Sequence, residues 1–457
     1  MTEYSKIYRS GQQLVKLAIP LAIAQLAQAL TGLVDTLMMG RLGTSILAAG
    51  GLASITFMTL ISVVGAIVMA VTPLIAEADG AGNRQQVARI TGQGFWLVGI
   101  SFMPLALLVA NLDRWLIIFG QNATTVIIAD TYLDIMVWGC FPALGFMLLR
   151  GVTSGLSHPR PIMSIVFGGT LFNIVANYIL AFGRLGFPQL GIAGLAIASV
   201  LSWWGMFGAL LLYLLRHPQF RDYGIFTKIQ IFVPKTFNKL LELGVPMGLF
   251  IALESGLFAV VSYLMGALDT DTLAAHQIVL QTVVIIFMVP LGISYATTIE
   301  VGQAWGKQNI ARIRQAAYLS IVIGLLFNLA LAIAICIFPR SVIGLYLDLN
   351  EPDNLAVINL AIPMLRIGAI ALILDGMQKI VYGALQGLQD SKAPVFLSIP
   401  AFWLVGLTLG YVLGFNYGLG GVGLWLGQSI GLAIASVLFL IRWLYLVSRL
   451  SDSSSHS

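Results

Sequence analysis

The sequence predicts an all-α, polytopic membrane protein with twelve transmembrane helices in two pseudo-symmetric six-helix bundles. The composition is the first observation: 58% of the 457 residues are hydrophobic, only 9% are charged, and the mean hydropathy is +0.93. Soluble domains carry about 25% charged residues. Second, apolar runs of about 20 or more residues recur along the whole chain, which is typical of spanning helices rather than of a β-barrel. Third, the two halves of the chain repeat one another.

Hydropathy and helix-breaking residues predict twelve spans, six in each half of the chain. They cover residues 14–38, 45–75, 87–111, 123–148, 159–182, 191–215, 237–268, 272–300, 311–338, 354–387, 394–415 and 419–447. We therefore divide the chain into a first lobe (1–215), a cytoplasmic linker (216–236), a second lobe (237–447) and a disordered cytoplasmic tail (448–457).

The placement of lysine and arginine predicts the orientation in the membrane. With the N-terminus inside, 19 of the 24 basic residues fall on the cytoplasmic side. Cytoplasmic loops carry the excess of Lys and Arg in membrane proteins. We expect a multi-pass protein of the cell (inner or plasma) membrane with both termini in the cytoplasm. We attribute the net charge of +5 to the basic residues of the cytoplasmic loops and not to binding of nucleic acid.

Several segments of the first half reappear in the second half in the same order. LVKLAIP resembles LLELGVP, GAGNRQQVARI resembles WGKQNIARIRQ, and RGVTSGLSHPRPIMS resembles YGALQGLQDSKAPVFLS, in the segment pairs 14–20 and 240–246, 80–90 and 305–315, and 150–164 and 382–398. Because each half has six spans, both copies enter the membrane in the same direction. This arrangement predicts two bundles that support transport by alternating access.

Three carboxylates lie inside predicted spans, and they are the candidate functional residues. Asp375 lies in the long apolar segment 362–392, while Asp35 and Glu254 lie in similarly apolar spans. A charge at mid-bilayer costs at least about 2.5 kcal/mol unless it is paired, wetted or protonated. The repeat places Val261, Gln28 and Ala143 at the positions that correspond to Asp35, Glu254 and Asp375. None of the acids is duplicated, so we expect them to make the two lobes chemically different.

Each acid also has a purely structural interpretation. Lys379 follows Asp375 at i+4, the spacing at which opposite charges meet on a helix, so the two form a candidate structural pair. Asp35 lies towards the outer end of its span and is a candidate partner of Arg41. Glu254 is a candidate for a neutral acid that is hydrogen-bonded to serine or to the backbone.

Polar and aromatic companions complete the candidate site. Asn173 and Asn177 lie one turn apart on one face of span 5, and Phe258 follows Glu254 at i+4. Gln277 in span 8 is a further candidate for lining the transport path. A desolvated cation needs several oxygen ligands, but asparagine in a membrane helix also serves as a link between helices.

Motifs for enzymatic chemistry do not occur in the sequence. It contains no glycine-rich loop followed by Lys-Ser/Thr, so ATP-driven transport is disfavoured. The four histidines show no metal-ligand spacing. Cys140 and Cys336 both lie in predicted spans, which gives a disulfide framework no support. We expect neither an enzyme nor a bound organic cofactor.

Five segments together are similar to the multidrug and toxic compound extrusion (MATE) family, in its NorM-type branch. They are VDTLMMGRLG, AVTPLIAEADGAGNR, IALESGLFAV, TTIEVGQAWG and LDGMQKIVYGALQGLQDSKAP, at residues 34–43, 70–84, 251–260, 297–306 and 374–394. The similarity covers all twelve spans. It implies a MATE-like, two-lobed antiporter that exports cationic, amphipathic drugs and dyes in exchange for Na⁺ or H⁺.

The resemblance also implies roles for individual residues. Glu254 and Asp375 would form the cation-coupling site of the second lobe, tentatively as Na⁺ ligands, with Phe258 beside them. Asp35, Asn173 and Asn177 would form the polar cluster of the first lobe. Two departures affect the coupling ion: Ala371 stands where some relatives have tyrosine, and Glu300 stands where the family has a basic residue.

The predicted partners are cationic small molecules, the coupling ion and the lipid bilayer, and we expect a monomer. Two other functions fit the same sequence. One is an exporter or flippase of a lipid-linked or specific metabolite with the same architecture, although such a cleft would be basic. The other is a membrane scaffold or receptor in which the acids are structurally paired.

Overall fold

A computed structural model describes residues 3–118 and 121–455, and every regular element in these ranges is helical. Twelve helices are long and apolar enough to cross a membrane. This confirms the predicted fold class. They are α1 (Glu3–Leu42), α2 (Thr44–Gly80, interrupted after Val68), α3 (Arg84–Val109), α4 (Ala123–Gly155), α5 (Arg160–Phe182), α6 (Ile192–Arg216), α7 (Pro234–Leu268), α8 (Thr270–Gly306), α9 (Ile310–Ile337), α10 (Leu355–Gly387), α11 (Lys392–Asn416, partly π-helical) and α12 (Gly420–Ser455).

Helix α12 continues beyond the predicted end of its span at residue 447. It reaches Ser455, so the prediction of a disordered tail was wrong for residues 448–455. The segment contains neither glycine nor proline, and nothing in it therefore interrupts the helix. The last two residues of the predicted tail lie outside the described ranges.

The turns between helices repeat in the two halves of the chain. Asn83 caps α3 and Asn309 caps α9, and each side chain accepts a bond from the backbone N–H three residues later at 3.0 Å. Left-handed backbone conformations also occur at matching positions. Ser157 and Gln389, which follow the ends of α4 and α10, both have a φ of 62°. The duplication seen in the sequence is therefore present in the backbone.

The cap at the start of α8 has no counterpart at the start of α2. Helix α8 begins after Asp269, whose carboxylate accepts bonds from the backbone N–H and the hydroxyl of Thr272, whereas glycine, Gly43, stands before α2. The bonds from Thr272 hold the pKa of Asp269 below its ordinary value. This cap stabilises the start of α8 most strongly while the carboxylate is ionised.

The described residues divide into two compact units. The N-unit consists of Ile23–Gly248, and the C-unit consists of the residues up to Ala22 and from Leu249 onward. The boundaries fall just after Pro20 in α1 and Pro246 in α7. The first part of α1 therefore packs with the second half of the chain, and the first part of α7 packs with the first half. The predicted lobe boundaries, at 215 and 237, did not include this exchange.

Close glycine contacts fix the exchanged segments. A Cβ on Gly292 of α8 would lie 2.6 Å from the backbone nitrogen of Ala22, inside the C-unit. A Cβ on Gly248 of α7 would lie 2.9 Å from the carbonyl oxygen of Val63, inside the N-unit. Because backbone atoms cannot move aside as side chains do, these crossings require glycine. No sequence pattern signals a contact between such distant residues.

The predicted linker is held against α3 in the N-unit. The side chain of Gln93 donates to the carbonyl of Ile231 at 2.7 Å and accepts from the N–H of Val233 at 3.0 Å. Trp96 donates to the carbonyl of Ile229 at 2.9 Å. These bonds satisfy backbone groups that no helix satisfies, so the segment has a fixed path.

We expect the substitution Gly292→Ala to lower the free energy of unfolding by about 1–3 kcal/mol, since the added methyl group meets backbone in a filled site. Gly168→Ala is the matched control, because nothing lies within 4 Å of a Cβ at that helical position. Thermal unfolding of both variants in one detergent measures the difference. Equal unfolding temperatures would contradict the close crossing.

Candidate functional site

The N-unit contains a buried cluster around Asp35 of α1. Asn177 of α5 donates from Nδ2 to Asp35 Oδ1 at 2.5 Å and to Asn173 Oδ1 at 3.0 Å. Asn173 in turn donates to the hydroxyl of Ser199 of α6 at 3.3 Å. All four side chains are buried. The structure thus brings together the three residues that the sequence proposed for this half, and it adds Ser199.

Other hydroxyl groups extend this cluster. The buried side chain of Tyr132 lies near Asp35 and within hydrogen-bonding reach of Ser199. One turn from Asp35, Thr31 and Thr170 share a hydrogen bond of 2.9 Å between α1 and α5. The sequence did not reveal Tyr132 or Ser199, because isolated hydroxyl residues are common in apolar helices. Their partners become visible only when α1, α4, α5 and α6 are packed.

The carboxylate of Asp35 accepts few hydrogen bonds from the side chains around it. Asp35 receives an amide hydrogen bond, and the Oδ1 of Asn177 is buried with no hydrogen-bond partner in the described part of the chain. Within residues 3–118 and 121–455, no basic side chain forms an ion pair with Asp35. The predicted alternative partner, Arg41, forms no ion pair with it among the described residues. A carboxylate in this setting can accept a proton or a cationic group.

The C-unit contains a second buried cluster, in which a lysine is central. Lys379 of α10 donates from Nζ to Oε2 of Glu254 of α7 at 2.5 Å. The two side chains are only 4% and 13% exposed. Lys379 therefore forms its hydrogen-bonded ion pair with Glu254, on another helix, and not with Asp375 as the i+4 spacing suggested. The i+4 spacing places Asp375 near Lys379, but it does not determine which carboxylate the ammonium group of Lys379 contacts.

Three aromatic rings surround the same ammonium group. Lys379 Nζ lies 4.8 Å from the ring centre of Phe250, 5.7 Å from that of Phe287 and 5.8 Å from that of Tyr382. Such contacts stabilise a desolvated cation by about 2 kcal/mol. Phe258, the aromatic residue that the sequence placed beside the site, is not among these rings. Phe250, four residues before Glu254, takes that position.

Asp375 completes the cluster without a similar partner. Its side chain is buried, it interacts electrostatically with both Glu254 and Lys379, and its Oδ1 has no hydrogen bond in the ranges that the structure covers. Oε1 of Glu254 is buried without one as well. With all three groups ionised, two carboxylates and one ammonium leave a net charge of −1.

Asn328 of α9, which is not among the residues predicted from the sequence, lies next to this cluster. Its side chain is fully buried, its amide atoms lack partners among the described residues, and it lies against Gly376, the neighbour of Asp375. An amide in the middle of the very apolar span 9 was the signal that could have found it. Gln277, in contrast, is exposed, and no hydrogen bond described here links it to the acids.

The N-unit also buries a basic residue. Arg150 of α4 is 5% exposed and donates to Oε1 of Gln25 at 2.5 Å and to Oε1 of Gln28 at 3.4 Å. Gln28 corresponds in the repeat to Glu254. In each unit, a basic side chain from the fourth or tenth helix therefore reaches the same region of the first or seventh helix. Arg150 is one of the 19 basic residues that the predicted topology placed on the cytoplasmic side, whereas the structure buries it.

The predicted Na⁺ ligands, Glu254 and Asp375, lie in this arrangement beside the ammonium group of Lys379. One carboxylate oxygen of Glu254 is already engaged by an ammonium group. No group of three or more His, Cys, Asp or Glu side chains that could hold a metal occurs within residues 3–118 and 121–455. A sodium ion at these carboxylates would be placed beside the positive charge of Lys379.

Comparison with known proteins agrees with these features. The sequence profile of the MatE family matches residues 20–179 and 246–412, one copy in each half. A protein from Synechocystis sp. named "Probable multidrug resistance protein NorM" is 48% identical over 433 residues, which are 95% of this chain and 94% of that protein. The chain belongs to the MATE family of membrane transporters. It is a NorM-type member and a multi-pass membrane protein.

Solved structures show the same fold at low sequence identity. An outward-facing multidrug resistance MATE transporter of the MOP superfamily is 21% identical, covers 99% of both chains, and has a TM-score of 0.88. A MOP superfamily transporter from Pyrococcus furiosus, for which a reverse polarity of the binding pocket suggests a different function, is also 21% identical, covers 99% of both chains, and has a TM-score of 0.87.

We expect Asp35 and Asn177 to be energetically coupled. In a double-mutant cycle with Asp35→Ala and Asn177→Ala, the coupling free energy should be about 1–3 kcal/mol, because the bond joins a buried amide to a buried carboxylate. Unfolding in a mild detergent measures it. The control cycle combines Asp35→Ala with Asn328→Ala, which belongs to the C-unit and should be additive. Additivity in the first cycle would show that the hydrogen bond is not formed.

Proposed function

We propose that this protein is a secondary active multidrug efflux antiporter. It exports cationic amphipathic compounds in exchange for an inward-moving cation, H⁺ or Na⁺, by alternating access of its duplicated halves. The observation that carries the proposal is the presence of carboxylates inside both units: the buried Asp35 in the N-unit, and the buried Asp375 with the largely covered Glu254 in the C-unit. Family membership and the names of the curated relatives support it.

The energetic basis of exchange is competition for the same negative charges. A buried carboxylate is neutralised by a proton, by a metal ion or by the cationic group of a drug, and each excludes the others. A ligand shifts the equilibrium between two access states only through its different affinity for them. Entry of the coupling ion from outside therefore weakens drug binding in the outward-open state and promotes release.

The proposal includes an orientation. Seventeen of the 24 basic residues lie on the side of the termini in the predicted topology when Arg150 and Lys379, which the structure buries, are left out of the nineteen. The positive-inside rule then places both termini in the cytoplasm. Accessibility of single cysteines introduced near the ends of α1 and α12 to an impermeant thiol reagent, applied from either side, tests this orientation.

The fold alone does not select the substrate, as the MOP superfamily transporter with reversed pocket polarity illustrates. A flippase or metabolite exporter would use the same helices. The acidic residues favour cationic substrates over acidic lipid-linked ones, because like charges repel in a medium of low dielectric constant. In a scaffold or receptor, the same acids would be paired but cells would not exclude dye.

We expect Glu254→Gln and Asp375→Asn each to abolish efflux of a cationic dye such as ethidium, because each removes a charge for which the dye and the coupling ion compete. Dye accumulation is measured in cells with and without the protein at matched membrane expression. Asp271→Asn, an exposed acid at the start of α8, is the control and should keep wild-type efflux. Near wild-type efflux in both site variants would refute the role of this cluster.

A further inference from the structure

We propose that Lys379 is the resident cation of the acidic site in the C-unit and that it excludes Na⁺ from Glu254 and Asp375. What this exclusion means for ion coupling rests on the proposed antiport function. The exclusion of Na⁺ itself is a property of the folded protein. Lys379 is thus a specificity-determining residue for the transported cation. The assignment rests on three observations about this side chain.

The first observation is the position of the ammonium group. Nζ of Lys379 lies 2.5 Å from Oε2 of Glu254, at the place that a metal ion bound to that oxygen would occupy. The side chain is only 4% exposed and bonds the carboxylate directly, so water does not separate the charges. The ammonium group and a metal ion cannot occupy this place together.

The second observation is that the surroundings stabilise an organic cation. The rings of Phe250, Phe287 and Tyr382 all face Nζ at 4.8–5.8 Å, and Phe250 stacks on Tyr382 with ring centres 4.3 Å apart. An aromatic face stabilises ammonium groups through its quadrupole. It provides none of the carboxylate or carbonyl oxygens that a hard metal ion requires. The cluster is therefore built for an ammonium group.

The third observation concerns the position of Lys379 along its helix. The hydroxyl of Ser294 in α8 donates to the carbonyl oxygen of Lys379 at 2.6 Å, and the Ser294 backbone meets Gly383 one turn later. These contacts hold the backbone of α10 against α8 at this level. Withdrawal of the ammonium group from Glu254 would therefore require a change in the side chain alone, within a packed aromatic environment.

The remaining charge determines what the cluster accepts. Glu254, Asp375 and Lys379 together carry a net charge of −1 when ionised, whereas the two acids alone would carry −2. A second cation about 4–6 Å from the ammonium group, at an effective dielectric constant of about 20, loses roughly a hundred- to a thousand-fold in affinity. Removal of the lysine should restore that affinity.

The test is the binding of ²²Na⁺ to purified protein in choline buffer. We expect wild-type protein to show no saturable binding that depends on Glu254. Lys379→Met should gain saturable binding, by roughly a hundred-fold or more, and Lys379→Met combined with Glu254→Gln should lose it again. Lys379→Arg keeps the charge and should stay without binding. Lys307→Met, which removes an exposed lysine between α8 and α9, is the matched control.

Two results would overturn the proposal. One is saturable Na⁺ binding by the wild-type protein that Glu254→Gln abolishes. The other is a folded Lys379→Met variant that binds Na⁺ no better than wild type. If Lys379→Met does not fold, the wild-type measurement and Lys379→Arg decide. Because binding is measured without transport, a failure of the antiport proposal would appear separately, as unchanged dye efflux in the acid variants.

Discussion

The ion pair between Lys379 and Glu254 is the interaction on which the chemistry of the C-unit depends. Charges inside apolar helices persist only when they are paired, wetted or neutralised. Here one ammonium group joins α10 to α7 and leaves Asp375 as the acid that lacks a similar partner. Breaking a buried pair of this kind is costly, so the bond both links two helices and limits which cations reach the acids.

The N-unit stabilises its buried charges with neutral polar groups. Asp35 is stabilised by an amide and hydroxyl groups, and the buried cation Arg150 is bonded to two glutamines. The backbone turns of the two halves match at Ser157 and Gln389, and their helix caps match at Asn83 and Asn309. Duplication has therefore kept the fold, while the buried charges have diverged. This difference allows one carrier to offer two distinct acidic sites.

Much of the fold followed from the sequence, because hydropathy and breaking residues act locally. All twelve spans were predicted, and so was the internal repeat. The exchange of half-helices at Pro20 and Pro246 was not, since it depends on close packing between Gly292 and Ala22, which are far apart in sequence. The candidate site was likewise predicted from the sequence only in part. The acids stand out in apolar runs, but the direction of the Lys379 side chain and the roles of Phe250, Ser199 and Asn328 emerge only from packing.

The most direct test of this account is dye transport by the purified protein in proteoliposomes with separately imposed gradients. If Lys379 serves as the resident cation, a pH gradient alone should drive dye exchange, and a Na⁺ gradient of equal size at constant pH should not. Lys379→Met should then bring a response to Na⁺. Exchange by the wild-type protein that is driven by Na⁺ alone and lost in Glu254→Gln would contradict the account.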